Sequence, residues 1–205
     1  MTETEKKQEK QRWSLEMYLR KVFKVIIDPI AAGLLKIGIT PNTVTGLGFI
    51  LSALAAFFIA RGNLTVGGLI LLIAGPLDVV DGSMARLMGP STPYGSLIDS
   101  TTDRYSELVV LGGLLFHFVG QQNSLAILLV FLAASGSILV SYVKARAEAL
   151  GFNCKVGLLT RVERLIIMIG CLIFQIPMVA LWIIAIFANI TAVQRLLYVR
   201  KQAIK

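Results

Sequence analysis

Long apolar runs constrain this chain more than any other feature. Six of them follow one another after residue 40, at about 42–60, 64–80, 104–120, 124–143, 162–176 and 178–195. A transmembrane helix needs about 20 predominantly apolar residues. Charged residues make up only 16% of the chain, whereas a soluble domain has about 25%. The sequence therefore predicts an all-α integral membrane protein with six transmembrane helices between about 42 and 200, and it excludes a large soluble domain.

A different pattern precedes the first apolar run. The segment at about 14–36 places Leu15, Leu19 and Val22 on one side of a helix and Arg20 and Lys24 toward another. This pattern is typical of an amphipathic helix that lies on an anionic membrane surface, although a soluble amphipathic helix has the same pattern. The residues before it, 1–13, form a polar N-terminal tail. We expect residues 14–205 to form a single membrane domain.

The distribution of basic residues predicts how the chain is oriented. The net charge is +8, yet the turns at 120–124 and 175–177 contain no Lys or Arg, and the turn at 61–63 contains only Arg61. Because cytoplasmic loops of membrane proteins are enriched in Lys and Arg, both termini and the two longer connections are expected to face the cytoplasm. On a chain this apolar, the positive charge favours anionic lipid rather than nucleic acid as a partner.

Aspartates are concentrated where two of the apolar runs end at the predicted cytoplasmic side. At 100° per residue, Asp78 and Asp81 lie with Gly82 and Ala85 within an arc of roughly 100° on one helix. Asp99 and Asp103 lie with Gly95 within roughly 80° on the next helix. Prolines and glycines between the two helices predict a chain reversal. We therefore expect four carboxylates to converge.

Four carboxylates in a site of low dielectric constant repel one another unless cations hold them together. Carboxylate oxygens without histidine or cysteine favour Mg²⁺, Mn²⁺ or Ca²⁺ over zinc. The set is large enough for two ions, and paired divalent ions stabilise displacement at phosphorus.

The small residues Gly82 and Ala85 would let a ligand approach the backbone, or they serve helix packing. Arg86 would bind a phosphate or anchor the helix end at the headgroups.

These residues carry a family resemblance. The spacing of Asp78, Asp81, Gly82, Ala85 and Arg86, followed by the three residues Gly95, Asp99 and Asp103, matches every fixed position in the signature of the CDP-alcohol phosphotransferases. The resemblance implies a six-helix membrane enzyme, usually a homodimer, that transfers a phosphatidyl group from a CDP-linked lipid to an alcohol and releases CMP.

The resemblance also implies roles for individual residues. Asp78, Asp81 and Asp99 would bind two divalent ions, Mg²⁺ or Mn²⁺, and Asp103 would be the general base for the acceptor hydroxyl and also contact a metal ion. Residues near the nucleotide of the CDP-lipid would be Asp78 and the set Thr40, Pro41, Asn42, Gly82, Ala85 and Arg86. The segment 40–45 resembles the family's entry to the first span, near the nucleotide. From the residues alone, it is a turn that caps a helix.

Cationic residues near the ends of the last three apolar runs predict the type of acceptor. Arginine binds phosphate through two hydrogen bonds, so a pocket of such residues would suit an alcohol that already carries phosphate. Topological bias and side chains that reach the interface are the alternative explanation. The candidate acceptor-phosphate residues are Lys144, Arg146, Arg161, Arg164 and Arg195. Glu107, one helical turn after Asp103, would either extend the acidic site or pair with a neighbouring arginine such as Arg104 or Arg164, and the pairing is the expected role.

Further stretches narrow the resemblance. Residues 34–41, 141–149, 161–167 and 194–196 closely resemble the prokaryotic phosphatidylinositol phosphate synthases, which join CDP-diacylglycerol to inositol 1-phosphate. Three alternatives stay open at this point: a phosphatidylglycerophosphate synthase that uses glycerol 3-phosphate, an archaetidylinositol phosphate synthase with an ether-lipid donor, and a divalent-cation channel or transporter lined by the aspartates. The absence of charged groups from the predicted extracytoplasmic half argues against the channel.

Overall fold

The computed structural model describes residues 15–89 and 92–204, and this part of the chain is helical with no strands. The predicted all-α class is confirmed for these residues, and the predicted tail at 1–13 lies outside them. The described ranges contain seven helices: α1 Leu15–Lys36, α2 Pro41–Ala60, α3 Leu64–Leu87, α4 Pro93–Gly120, α5 Ser124–Ala149, α6 Arg161–Ile173 and α7 Pro177–Ala203.

Four of these helices, α2, α3, α5 and α7, are long and apolar enough to cross a membrane. The other two predicted spans are helical but differ in character. Helix α4 extends well before the predicted apolar run and carries Asp99 and Asp103 in its first half and Glu107 at its middle. Helix α6 has only 13 residues, which gives a length of about 20 Å.

Local sequence signals determine where the helices around the aspartates begin. Proline occupies the first position of α2 and of α4, where its missing N–H has no helical partner to lose. The side chains of Thr40 and Thr92 accept hydrogen bonds from the backbone N–H groups of Thr43 and Gly95. These caps fix the first turns of α2 and α4.

Helix α1 packs against the end of α3 that carries the first part of the signature. Ile27 and Ala31 of α1 are buried in a small cluster with Val44, Val80 and Met84. Beside this cluster, the Ser83 hydroxyl on α3 donates a hydrogen bond to the Asp28 carboxylate on α1. The predicted helix at about 14–36 is therefore present and docked through its second half. The side chains of residues 15–25, including the basic ones, lie outside the described part.

Helix α2 is the common support of the two helices that carry the aspartates. It packs against both α3 and α4, while α6 packs against α3, and α5 against α7. The larger apolar core connects these helices and includes Ile59 of α2, Leu114 of α4 and Ile184 of α7. Since α3 and α4 both rest on α2, their aspartate-bearing ends face a shared cleft.

The contact between α2 and α4 depends on a glycine. A Cβ atom at Gly113 would lie 2.6 Å from the backbone oxygen of Ala56 and 2.9 Å from its Cα atom. Small residues allow membrane helices to approach this closely. The adjacent Gly112 has nothing within 4 Å of the corresponding position.

We expect Gly113→Ala to destabilise the protein, because the added methyl group forces α4 away from α2. Overpacking of this kind costs about 1–3 kcal/mol. Thermal unfolding in detergent should show a lowered Tm, whereas Gly112→Ala on the same helix should leave the Tm nearly unchanged. Equal Tm values for the two variants would show that the close α2–α4 contact does not limit stability.

Candidate active site

Three of the four signature aspartates come together from two helices. Asp78 lies on α3, and Asp99 and Asp103 lie one turn apart on α4. One carboxylate oxygen from each of the three lies within 4.8 Å of the others. Asp99 is exposed, and Asp78 and Asp103 are half-buried. The set therefore faces an accessible cleft and not a closed core.

Asp81 occupies a different position from the one expected. It is buried, with 4% exposure, and its Oδ2 accepts a hydrogen bond of 2.6 Å from the Thr45 hydroxyl on α2. It lines the same cavity as Asp78 and Asp103 but is not part of the close three-carboxylate set. Only three of the four signature aspartates therefore converge closely, and the fourth lies beside them.

Arg161, the first residue of α6, closes the carboxylate set from a third helix. Its Nη1 atom donates to both oxygens of Asp78, at 2.8 and 3.0 Å, and lies 2.6 Å from Oδ2 of Asp103. Helix α6 begins here because Thr160 and Glu163 form a capping box, in which the Thr160 N–H donates to Glu163 at 2.5 Å. This cap fixes the position from which Arg161 reaches the aspartates.

A second ion pair lies deeper in the cleft, between α4 and α6. Arg164 donates from Nε and Nη2 to the two carboxylate oxygens of Glu107, at 2.7 and 2.9 Å, and from Nη1 to the Leu159 carbonyl at 3.3 Å. The Arg164 side chain is only 2% exposed. The expected structural pairing of Glu107 is confirmed, with Arg164 as its partner.

The cavity between these helices is open to the surface. Asp78, Asp103 and Arg161 supply polar lining. Apolar side chains line other parts of its wall, among them Val110 and Met168. A polar region joined to an apolar wall suits an amphipathic ligand.

Five basic residues were expected around an acceptor phosphate. Two of them, Arg161 and Arg164, line the cavity, and the other three do not. Arg195 is buried and donates to the Val156 carbonyl at 2.8 Å and to the Val140 carbonyl at 2.5 Å. Lys144 is exposed and lies 3.9 Å from Glu148. Arg146 is exposed. The guanidinium of Arg195 is thus engaged with backbone carbonyls instead of facing the cleft.

Most of the residues expected near a nucleotide lie at the first residues of α2 and near the last residues of α3. Thr40 caps α2, Pro41 is its first residue, and Asn42 is exposed. Gly82 and Ala85 are half-buried near the end of α3, where Arg86 is exposed. A Cβ atom at Gly82 would lie 3.6 Å from Nη1 of Arg86, so the arginine side chain lies over the glycine.

Thr45 belongs to the segment 40–45 that was expected near the nucleotide, but the sequence does not predict the contacts that its side chain makes. Its hydroxyl contacts the Pro41 carbonyl at 3.1 Å as well as Asp81, and it thereby connects the start of α2 to the signature on α3. The available signal was a hydroxyl one helical turn after Pro41. That signal identifies no partner, because Asp81 is 36 residues away in the chain.

The donor set fits a hard divalent cation. Three carboxylates offer oxygen ligands only, and no histidine or cysteine belongs to the set. Such sites favour Mg²⁺ or Mn²⁺ over softer metals.

A family model described as CDP-alcohol phosphatidyltransferase matches residues 38–194. The chain belongs to this family. It is 36% identical to a phosphatidylinositol phosphate synthase of Streptomyces avermitilis, over 92% of this chain and 84% of that protein. It is also 36% identical to an archaetidylinositol phosphate synthase of Methanothermobacter thermautotrophicus, over 88% and 91% respectively. The resemblance seen in the signature is therefore confirmed, and the chain is a CDP-alcohol phosphotransferase.

Solved structures support the same assignment. The crystal structure of Mycobacterium tuberculosis phosphatidylinositol phosphate synthase with CDP-DAG bound aligns with a TM-score of 0.79 and 34% identity, over 85% of this chain and 93% of that one. The same Mycobacterium tuberculosis enzyme in complex with manganese and citrate aligns with a TM-score of 0.78 and 34% identity, over 84% and 88% respectively. The fold of this CDP-alcohol phosphotransferase is thus shared along most of both chains.

We expect Thr45→Val to destabilise the enzyme, because the buried Asp81 carboxylate then loses its hydroxyl donor. Leaving a buried acceptor unsatisfied costs about 1–3 kcal/mol. Thr45→Ser keeps the hydroxyl and should retain most of the stability. Thermal unfolding of the two variants in detergent separates them, and an unchanged Tm for Thr45→Val would mean that the hydrogen bond contributes little.

Proposed function

We propose that the protein transfers the phosphatidyl group of CDP-diacylglycerol to the hydroxyl of inositol 1-phosphate, with phosphatidylinositol phosphate and CMP as products. The observation that carries this proposal is the cleft in which Asp78, Asp99 and Asp103 converge. Two arginines lie beside them, the half-buried Arg161 and the buried Arg164. The names of the relatives support the donor and the acceptor.

The proposed cofactor is a pair of Mg²⁺ or Mn²⁺ ions held by the signature aspartates, with Asp78, Asp99 and Asp103 as a close set and Asp81 beside them. When bound, such ions neutralise negative charge on a pyrophosphate and on the leaving group. Two features of the chain position the aspartates for this chemistry. Helix α2 supports both α3 and α4, and Thr45 fixes the Asp81 carboxylate.

Asp103 is the proposed general base. It lines the cavity one turn along α4 from Asp99, so an acceptor hydroxyl in the cleft lies within reach of its carboxylate. The base removes the hydroxyl proton as the oxygen attacks phosphorus. The nucleotide is proposed to lie against the ends of α2 and α3, at the set Thr40, Pro41, Asn42, Gly82, Ala85 and Arg86.

The proposed acceptor-phosphate site uses Arg161 and Arg164 first, because both line the cavity. The proposed site also includes three basic residues that do not line the cavity, Lys144, Arg146 and Arg195. Arg195 donates to the Val156 carbonyl in the 150–160 connection and to the Val140 carbonyl on α5, which supports a role in holding both next to α7.

Membrane topology is proposed as six spans, formed by α2 to α7, with both termini and the active site on the cytoplasmic side. The proposal rests on the basic residues at that side and on the short turns at the opposite side. Helix α1 is proposed to lie on the anionic leaflet. A homodimer is proposed from the family resemblance.

An acceptor assay tests the proposed function. Purified protein is incubated with CDP-diacylglycerol, Mg²⁺ and, in separate reactions, inositol 1-phosphate, glycerol 3-phosphate, serine or free inositol. Product with inositol 1-phosphate is expected. Product only with glycerol 3-phosphate would replace the proposal with a phosphatidylglycerophosphate synthase. A parallel reaction with an ether-linked CDP donor tests the archaetidylinositol alternative, which the similarity to the Methanothermobacter enzyme favours as second candidate.

The aspartate variants test the metal assignment. We expect Asp78→Asn and Asp99→Asn, and also Asp81→Asn, to abolish CMP release, because each removes a charge that holds the ions. The measurement is CMP released from CDP-diacylglycerol at saturating Mg²⁺. Near-normal turnover in any one of them would contradict the metal role of that residue.

Asp103→Asn should behave differently if Asp103 is the base. We expect the donor affinity to be retained and kcat to fall by roughly 10² to 10⁴. The measurement is a KM-against-kcat comparison with varied CDP-diacylglycerol. A loss of donor affinity at unchanged kcat would indicate a role in ligation alone.

A further inference from the structure

Arg161 holds two of the three converging carboxylates at once. A single nitrogen, Nη1, makes the contacts to Asp78 on α3 and to Asp103 on α4. The guanidinium therefore links three helices at one point. It places one positive charge among three carboxylates that would otherwise repel one another.

The two arginines of α6 are held in different ways. Arg164 uses three nitrogens on fixed protein acceptors and is 2% exposed. Arg161 is 33% exposed. Among the described residues its Nε and Nη2 atoms have no protein partner. Arg164 is thus anchored, whereas Arg161 can leave its carboxylates without breaking another hydrogen bond or ion pair to this part of the chain.

The oxygens that Arg161 contacts belong to residues proposed to bind divalent ions. An oxygen of Asp78 that accepts a hydrogen bond from the guanidinium has fewer free lone pairs to offer a metal. The ion pair with Arg161 likewise weakens the attraction of the Asp103 carboxylate for a second cation. The positive charge of the guanidinium also repels a cation that enters the same cleft.

We propose that Arg161 is a built-in counter-ion that competes with the divalent cation for Asp78 and Asp103. The inference rests on the proposed metal role of these aspartates. Entry of the cation requires the guanidinium to withdraw from at least one of the two carboxylates. The withdrawn guanidinium stays in the cleft, where its free donors can bind the phosphate of an acceptor. Loss of the Arg161 charge should accordingly strengthen cation binding.

The first test is a Mn²⁺ titration of the full-length protein in detergent without substrates, followed by electron paramagnetic resonance of free Mn²⁺. Arg161→Gln removes the charge, and we expect it to bind Mn²⁺ about tenfold more tightly than the unmodified protein. Arg161→Lys keeps a positive charge and should stay close to the unmodified protein. Arg200→Gln, at an exposed arginine in the last turn of α7, removes one charge elsewhere and should leave the affinity unchanged.

The outcomes separate this inference from the proposed function. If the unmodified protein binds Mn²⁺ and Arg161→Gln binds it equally or more weakly, the competition is wrong and the metal role stands. If neither binds Mn²⁺, the metal role fails and the competition with it.

A second test needs no substitution and so does not depend on whether Arg161→Gln folds. The unmodified protein is treated with phenylglyoxal, which modifies accessible arginines, and the peptides are analysed by mass spectrometry. We expect modification of Arg161 to increase on addition of Mn²⁺, while Arg164 stays protected and Arg200 reacts in both conditions. Modification of Arg161 that is unchanged or lower with Mn²⁺ would overturn the inference.

Discussion

Compensation of negative charge in a largely apolar helical protein is the constraint on which this site depends. A carboxylate that leaves water needs a positive partner or hydrogen-bond donors, because isolated charges are strongly disfavoured at low dielectric constant. The structure meets this need in three ways. Asp78 and Asp103 share Arg161, Glu107 has its own arginine, and Asp81 accepts from a hydroxyl. Each partner comes from a different helix than the acid it contacts.

Helix packing determines whether these partners can meet. Helix α2 contacts both α3 and α4, and the close approach at Gly113 sets how near α4 can lie to α2. The same helix carries Thr45, which reaches Asp81. Since the support of the cleft and one of its hydrogen bonds belong to a single helix, changes in the packing of α2 affect the carboxylates directly.

The short helix α6 supplies both cationic partners. Arg161 and Arg164 lie three residues apart, so they occupy the same face of the helix. The capping box at Thr160 fixes where this helix begins and thus where both arginines lie. One arginine lies at the accessible carboxylates and the other is buried against Glu107. This division gives a fixed pair that maintains the architecture and an accessible guanidinium that is free to respond to ligands.

The sequence by itself determined the helical class, the family signature and the acid positions, because apolar run length and residue spacing along one helix are local properties. It also predicted that Glu107 pairs with an arginine. Only the tertiary structure decided that Asp81 turns to Thr45, that Arg161 joins Asp78 to Asp103, and that Arg195 is engaged with backbone carbonyls. These contacts join residues from 36 to 83 positions apart, and their geometry follows from helix packing, which no local pattern encodes.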